Sequence, residues 1–275
     1  MAETKSIDEK PWRAVMRVSG EDARDFLQGV ITQDIDRVAD GKAAFAALLT
    51  PQGKLLFDFF IAAGDDGLLI DCDAGAAEAL ARRLKMYKLR ARVAIDMLDG
   101  WGVAAAPSFE DGGRALIIED PRLDALGLRA IGPIDALPAG ETRAAYDARR
   151  IAAGAPEFGA DFSSEDVFPL DVNYDALHGV DYKKGCFVGQ EVASRMKRKG
   201  EVRKRTAIID SEHSALESNA PLTADGATIG TVLSVRGSQG LALVRLDRLE
   251  KAARDALRAG DAPVRLTIPS YLEGV

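Results

Sequence analysis

The sequence predicts a mixed α+β fold that closes with a small β-barrel or sandwich. Three observations carry this. Strand-length apolar runs alternate with two amphipathic helical stretches over residues 13–89, and Pro and Gly punctuate short strands through residues 103–138. From Arg203 onward, short strand-like runs recur between Gly or Asp turns. With 275 residues, 47% of them hydrophobic and 29% charged, the chain can bury a substantial core. It is expected to be a soluble globular protein of two domains, or of three small ones sharing surfaces.

Arg13–Val18 reads as a strand, and Ser19 followed by Asp22 resembles an N-cap with an acidic third residue ahead of the amphipathic stretch 22–31. The apolar runs Ala43–Leu49 and Leu55–Ala62 flank Thr50-Pro51-Gln52-Gly53, where Pro presets one φ and Gly accepts a positive one, so a hairpin is predicted. A turn at Gly64–Gly67 leads into a strand, Leu68–Cys72. Ala79, Leu80, Leu84 and Tyr87 then recur as on a helix over Ala76–Leu89. Arg90–Leu98 alternates as a strand; Val103–Ala105 and Ala115–Ile118 suggest two more, and Tyr146–Ala153 is helical. Gly154–Gly185 has little periodicity, and loops of that length in compact chains usually carry function. The C-terminal strands are 203–210, 227–235, 241–246 and 263–268, with a helical stretch around Leu249–Leu257.

The formal charge of −7 argues against general nucleic-acid binding, because a protein that tracks phosphates is normally basic. Two cysteines, Cys72 and Cys186, and two histidines, His178 and His213, exclude a disulfide framework, a self-contained zinc site and a cluster held by four thiolates of one chain. No run of 18 apolar residues occurs and residues 1–12 lack the apolar stretch of a secretory signal, so a cytoplasmic setting without membrane contact is expected. P-loop, GxGxxG, HExxH and GxSxG motifs are all missing.

The chemistry concentrates in Tyr182–Arg205, where nine Lys or Arg and two Glu give a local charge of +7, leaving −14 for the remainder. Such a strip focuses an anionic ligand, although a solvated helix face explains the same charges. Gly189 can open a helix in which Glu191 and Arg195 stand four apart. Cys186, just before that helix and beside Lys183 and Lys184, is placed where the helix dipole and the ammonium groups favour thiolate. Cys72 lies between two aspartates that disfavour thiolate, and reads as structural. Neither histidine has a partner at metal-ligand or triad spacing.

The segment Lys184-Gly185-Cys186-Phe187-Val188-Gly189-Gln190-Glu191 closely resembles the K-G-C-[FY]-x-G-Q-E signature of the YgfZ family, folate-binding proteins that assist iron–sulfur cluster assembly and are related to the glycine-cleavage T-protein. Further segments resemble the same family: 26–29 with 32–34, 49–54 with Asp58, 149–151 with Gly154, and 168–171. The resemblance implies a GcvT-like ring of three parts, two of ferredoxin-like α+β character and a C-terminal β-barrel. The first two are intertwined over residues 1–200 as a folate-binding module, and the barrel spans 201–275. It implies tetrahydrofolate or a derivative as ligand and partners among iron–sulfur carrier or client proteins; the few cysteines and histidines give no expectation of a permanently bound metal, and nothing in the sequence demands more than a monomer. The T-protein counterpart of the signature lacks the cysteine, which favours cluster assembly or repair through Cys186 and Lys184 over folate-dependent aminomethyl or methyl transfer or demethylation. Whether the chain is an enzyme stays open. For the folate pocket the expected residues are Gln190, Glu191 and Arg195 from the signature, with Asp58, Arg150, Asp171 and Asn173; a cap or turn role explains these last four almost as well.

Overall fold

The computed structural model describes residues 11–110, 114–198, 202–212, 214–251 and 257–273. Strands β1 (Arg13–Ser19), β2 (Ala44–Leu49), β3 (Leu55–Gly64), β4 (Gly67–Asp73) and β5 (Ala94–Met97) form an antiparallel sheet in the order β2-β3-β4-β1-β5. Alternation of side chains decides what each face of the sheet covers. From β1, Met16 and Val18 enter a core with Phe26 and Leu27 of helix α1 (Ala23–Val30) and Leu80 and Leu84 of α2 (Ala77–Tyr87), while Val15 enters a separate cluster on the opposite face. Full burial of side chains such as Leu27, Phe59 and Leu80 contributes roughly 2 to 3 kcal/mol each.

The opposite face is covered by a three-stranded antiparallel sheet, β6 (Trp101–Ala106), β7 (Leu116–Glu119) and β8 (Leu128–Pro133), ordered β6-β8-β7. Ile118 and Ile131 meet Val15, Ala62 and Leu69 there, so β3 is buried along most of its length. Helix α3 (Arg143–Ala152) starts at Thr142, whose hydroxyl accepts from the Ala145 N–H at 3.2 Å. Helix α4 (Gln190–Arg198) precedes the barrel sheet. Its strands are β9 (Lys204–Asp210), β10 (Pro221–Ala224), β11 (Ala227–Arg236), β12 (Gln239–Arg245), β13 (Leu257–Ala259), β14 (Ala262–Pro263) and β15 (Arg265–Thr267), ordered β14-β13-β10-β11-β12-β9-β15 around a core of their own. A short helix α5 (Leu246–Leu249) follows β12.

A buried ionic seam joins the three sheets. Arg13 donates to Asp71 at 2.5 Å, and Asp71 also accepts two bonds from Arg129 of β8, at 2.9 and 2.6 Å. Arg129 reaches Asp120 at 3.4 Å; Asp120 accepts a fork from Arg122 at 2.9 and 2.8 Å, and Arg122 donates to the Tyr146 hydroxyl on α3 at 3.0 Å. Arg150 of α3 then donates to Asp147 at 2.7 Å, to Asp161 at 2.5 Å and to Ser234 of β11 at 2.8 Å. The Phe60 ring lies 3.9, 4.8 and 5.4 Å from the guanidinium carbons of Arg129, Arg122 and Arg13, so its π-face helps to solvate cations removed from water.

Several elements differ from expectation for local reasons. Ser19 does not cap α1: Asp22 stands at the cap position, and its carboxylate accepts from the Arg92 N–H at 2.8 Å instead. The strand expected over Arg90–Leu98 begins only at Ala94, because Leu89 is in the left-handed region (φ 44°) and residues 88–91 turn. The central strand β8 was not anticipated, since its short run LRAIGP has an arginine at an inward position. The helical stretch around Leu249–Leu257 falls partly on residues 252–256, outside the described residues, and Leu257 itself begins β13.

Candidate functional site

The cysteine of the signature sits in a segment laced at many points to residues 28–37. The Thr32 hydroxyl donates to the Gly179 carbonyl at 2.6 Å, Gln33 Nε2 donates to the His178 carbonyl at 2.5 Å, and the Asp181 N–H donates to the Thr32 carbonyl at 2.9 Å. Asp181 in turn accepts from the backbone N–H groups of Lys183 and Lys184 at 2.7 and 3.1 Å. The Lys184 side chain is buried, and its ammonium donates to the carbonyls of Gln28, Ile31 and Gln33 at 2.7, 2.8 and 3.0 Å. Those three bonds use every N–H the group has, and they satisfy carbonyls left open where α1 ends. Burial pushes its pKa down to about 8, with Asp34 and Asp181 opposing. Lys184 is therefore a positioning residue here, with no N–H left to donate to the Cys186 thiol.

Phe187 is buried with its ring 5.5 Å from the Lys184 ammonium, so Gly185 and Cys186 form an exposed step between two anchored neighbours. A Cβ added at Gly185 would meet nothing within 4 Å, so the space beside the thiol is open. Gly189 is different: its φ is 81° and a Cβ there would stand 2.5 Å from the Thr50 carbonyl oxygen. Only glycine lets the start of α4 approach the β2–β3 turn this closely.

Five cations of the basic strip fall into two groups. Lys197 and Arg205 close on Asp175, at 2.8 Å and through a fork of 2.5 and 3.0 Å, and the Asp175 carboxylate is fully buried. Burial alone would raise the Asp175 carboxyl; the bonds from Arg205 and Lys197 overcome that and hold it below the usual range. The other group lines a cleft of about 380 Å³, with Phe168, Leu170 and Met196 as apolar wall and Arg195, Arg203 and Lys204 as cations. Asp171 lies in the same cleft, accepts from the Phe168 N–H at 3.1 Å, and has its pKa raised by burial.

Of the residues expected to form a folate pocket, the structure brings only Asp171 and Arg195 into one cleft. Gln190 and Glu191 occupy the first turn of α4, and among the described residues no ion pair joins Glu191 to Arg195. Asp58 is buried on β3 and accepts from the Tyr174 hydroxyl; burial raises its pKa against the pull of Arg13. Asn173, left-handed at φ 63°, ties the loop to the barrel by donating to the Thr206 carbonyl at 2.9 Å and the Tyr271 hydroxyl at 3.0 Å. Arg150 is a hub of the ionic seam. His178 is exposed, and His213 lies outside the described residues. Cys72 is buried with its pKa pushed up to about 12 by that burial, in keeping with a structural role.

The sequence reading passed over Arg13, Asp71, Asp120, Arg122, Arg129 and Glu157. A signal existed: charged residues at inward positions of otherwise apolar strands are costly unless paired. A wider cleft of about 580 Å³, lined among others by Lys42, Asp120, Arg122, Ala152, His178, Ile208 and Tyr271, also went unmarked. Its walls come from all three sheet regions, which no local pattern links.

This arrangement, a two-sheet α+β body followed by a near-closed barrel, is the fold of aminomethyltransferase T. The glycine cleavage system aminomethyltransferase T from Bartonella henselae superposes with a TM-score of 0.70, covering 95% of this chain and 84% of that one at 17% identity. A family model described as the CAF17 C-terminal β-barrel domain matches residues 203–273. The chain is 33% identical over 86% of its length to the mitochondrial iron–sulfur cluster assembly factor IBA57 homolog of Pyricularia oryzae, covering 70% of that protein. It is also 30% identical over 86% of its length to the human mitochondrial iron–sulfur cluster assembly factor IBA57, covering 77% of that protein. The chain belongs to the IBA57 family. The expected YgfZ resemblance is thereby refined, because the relatives found carry the IBA57 name. The expected cytoplasmic setting is overturned, since these relatives are named as mitochondrial proteins.

Proposed function

We propose that this protein assists the assembly or repair of iron–sulfur clusters in client proteins, with Cys186 as the thiol that contacts the cluster in transit. The observation that carries this reading is the exposed Gly185-Cys186 step held between buried Lys184 and Phe187. One thiolate supplies one ligand to a cluster, so the remaining ligands come from the carrier or client that brings or receives it. In cells lacking the protein, Cys186→Ser is expected to fail to restore activity of cluster-dependent enzymes while the purified variant keeps the wild-type denaturation midpoint. Full restoration by that variant would remove the thiol from the function.

The cleft beside α4 suits a tetrahydrofolate-type ligand. Its apolar wall matches a flat ring, Asp171 offers a carboxyl for ring nitrogens, and Arg195 and Lys204 offer cations for the glutamate carboxylates. When bound, such a ligand carries one-carbon units. Calorimetric titration with tetrahydrofolate is expected to show salt-sensitive binding that Arg195→Glu weakens and Cys186→Ser leaves unchanged. Absence of heat in the wild type would remove folate and leave the cluster-assembly reading standing. One-carbon transfer from an amine donor, sustained by the Cys186→Ser variant, would instead favour an aminomethyltransferase-like enzyme.

A further inference from the structure

The end of α2 and the turn after it carry a patch that the site above does not use. Residues 82–92 hold six cations, Arg82, Arg83, Lys85, Lys88, Arg90 and Arg92, and no Asp or Glu, so this short segment is +6 in a chain of net −7. The apolar stripe of α2 is already buried through Ala77, Leu80, Ala81 and Leu84. Two large apolar residues nonetheless project among the cations, Met86 at 66% and Leu89 at 86% exposure. With Met97 on β5 at 38%, three of the five exposed large hydrophobics among the described residues fall in this one stretch.

Leu89 is held at φ 44°, in the left-handed region that a side chain with a Cβ rarely adopts. Hydrogen bonds on either side fix the turn: the Ala91 N–H donates to the Lys88 carbonyl at 2.7 Å, and the Lys88 ammonium donates to the Val93 carbonyl at 2.7 Å. Arg82 and Arg92 have acidic neighbours at Glu78, Glu21 and Asp22, while the side chains of Lys85 and Arg90 make no hydrogen bond or ion pair among the described residues. The patch also borders β5, which ends its sheet and pairs with β1 alone.

We propose that this patch docks an acidic protein partner, with Leu89 and Met86 as apolar anchors inside a collar of cations. Charge complementarity selects the partner: an acidic surface is drawn to the cationic end of α2, as it is to the strip Tyr182–Arg205, and is repelled by the acidic remainder of the chain; the exposed Met86 and Leu89 mark the α2 end as the one with apolar anchors. A lipid surface is disfavoured because interfacial helices present a continuous apolar face, and that of α2 is turned into the core. The position adds a consequence for assembly. The signature helix abuts the β2–β3 turn at one edge of the five-stranded sheet, and the patch lies at the β5 edge. Four strand spacings, roughly 19 Å, separate those edges. A partner held at the patch sits at the sheet edge opposite the one that the signature helix abuts.

The test uses the full chain and synthetic fluorescent peptides in which Asp and Glu flank Leu and Phe, with a matched series carrying Lys in place of the acids. The acidic series is expected to bind the wild type and to weaken as salt rises. Two double variants, Met86→Ser with Leu89→Asn and Lys85→Glu with Arg90→Glu, should each lower affinity about tenfold. Asparagine tolerates the left-handed turn, so the first double variant is expected to keep the wild-type denaturation midpoint. Cys186→Ser should bind as wild type does, which separates this proposal from the thiol reading. The proposal is overturned by failure of the acidic series to bind, or by variants that bind it as tightly as wild type. Binding to anionic phospholipid vesicles, or self-association in sedimentation, that the same variants abolish would also overturn it by assigning the patch to a membrane or to a second copy.

Discussion

Lys184 and Cys186 are two residues apart, and burial gives them different tasks. The ammonium of Lys184 fastens the segment to three carbonyls near the end of α1, and the thiol of Cys186 stands in water. Lys184→Met removes the donor and leaves three acceptors without it, a loss of about 3 kcal/mol that a shift in the urea midpoint would register. A smaller shift than that of an ordinary surface substitution would contradict the buried geometry. The two thiols differ in the same way. Brief alkylation of the native protein, read by mass spectrometry, is expected to label Cys186 and spare Cys72, with Cys72 reacting only after denaturation. The sequence announced the cysteine through its signature and its neighbours. It did not announce where the lysine points, because that depends on α1 and residues 31–33, some 150 positions away in the chain.

At the level of elements, α4 is placed by a contact between backbones rather than by its own amphipathicity. Gly189→Ala would put a Cβ 2.5 Å from the Thr50 carbonyl oxygen at a φ of 81°, and is expected to destabilise the protein by about 2 kcal/mol. Gly185→Ala, with open space around it, should be neutral within about 0.5 kcal/mol; equal effects in paired denaturation curves would refute the distinction. The hairpin β2–β3 and helices α1 and α2 were legible in the sequence because their patterns are local: a Pro-Gln-Gly turn, and apolar positions three and four apart. β8 was not, since its value to the fold is a salt bridge from Arg129 to a different sheet. The site was legible in the same measure. Asp171 and Arg195 meet across a cleft as part of one pocket, whereas Arg150 and Asn173, plausible ligand contacts in the sequence, are occupied in joining the barrel to the body.

Across the whole molecule the ionic seam governs how stability responds to acid. Burial alone would raise the Asp120 and Asp147 carboxyls, but Arg122 with Arg129, and Arg150 with Arg143, overcome it and hold both below 3.8. The unfolded chain therefore takes up protons first as the pH falls, and stability present above about 3.8 is lost as the pH drops through the folded-state values. Asp120→Asn should lower the urea midpoint at pH 6 and flatten its further fall toward pH 3; a slope equal to that of the wild type would exclude Asp120 from the effect. Asp58 and Asp171, whose carboxyls burial pushes up, act in the opposite sense above the ordinary carboxylate range, so the acid branch comes from the seam together with Asp175, which Arg205 and Lys197 hold low.

The seam also constrains how the chain can change over generations. A guanidinium does not shed its proton to escape an unfavourable burial, so loss of Asp71 would take the nearest carboxylate from two permanent cations beside one phenyl ring, leaving Arg13 only Glu157 at 3.7 Å and Arg129 only Asp120 at 3.4 Å. Neither arginine can be exchanged alone without leaving Asp71 short of a counter-ion. These positions are tied into an inherited set: related chains that differ elsewhere at most positions should carry Asp71 with both arginines, or carry an apolar replacement at all three.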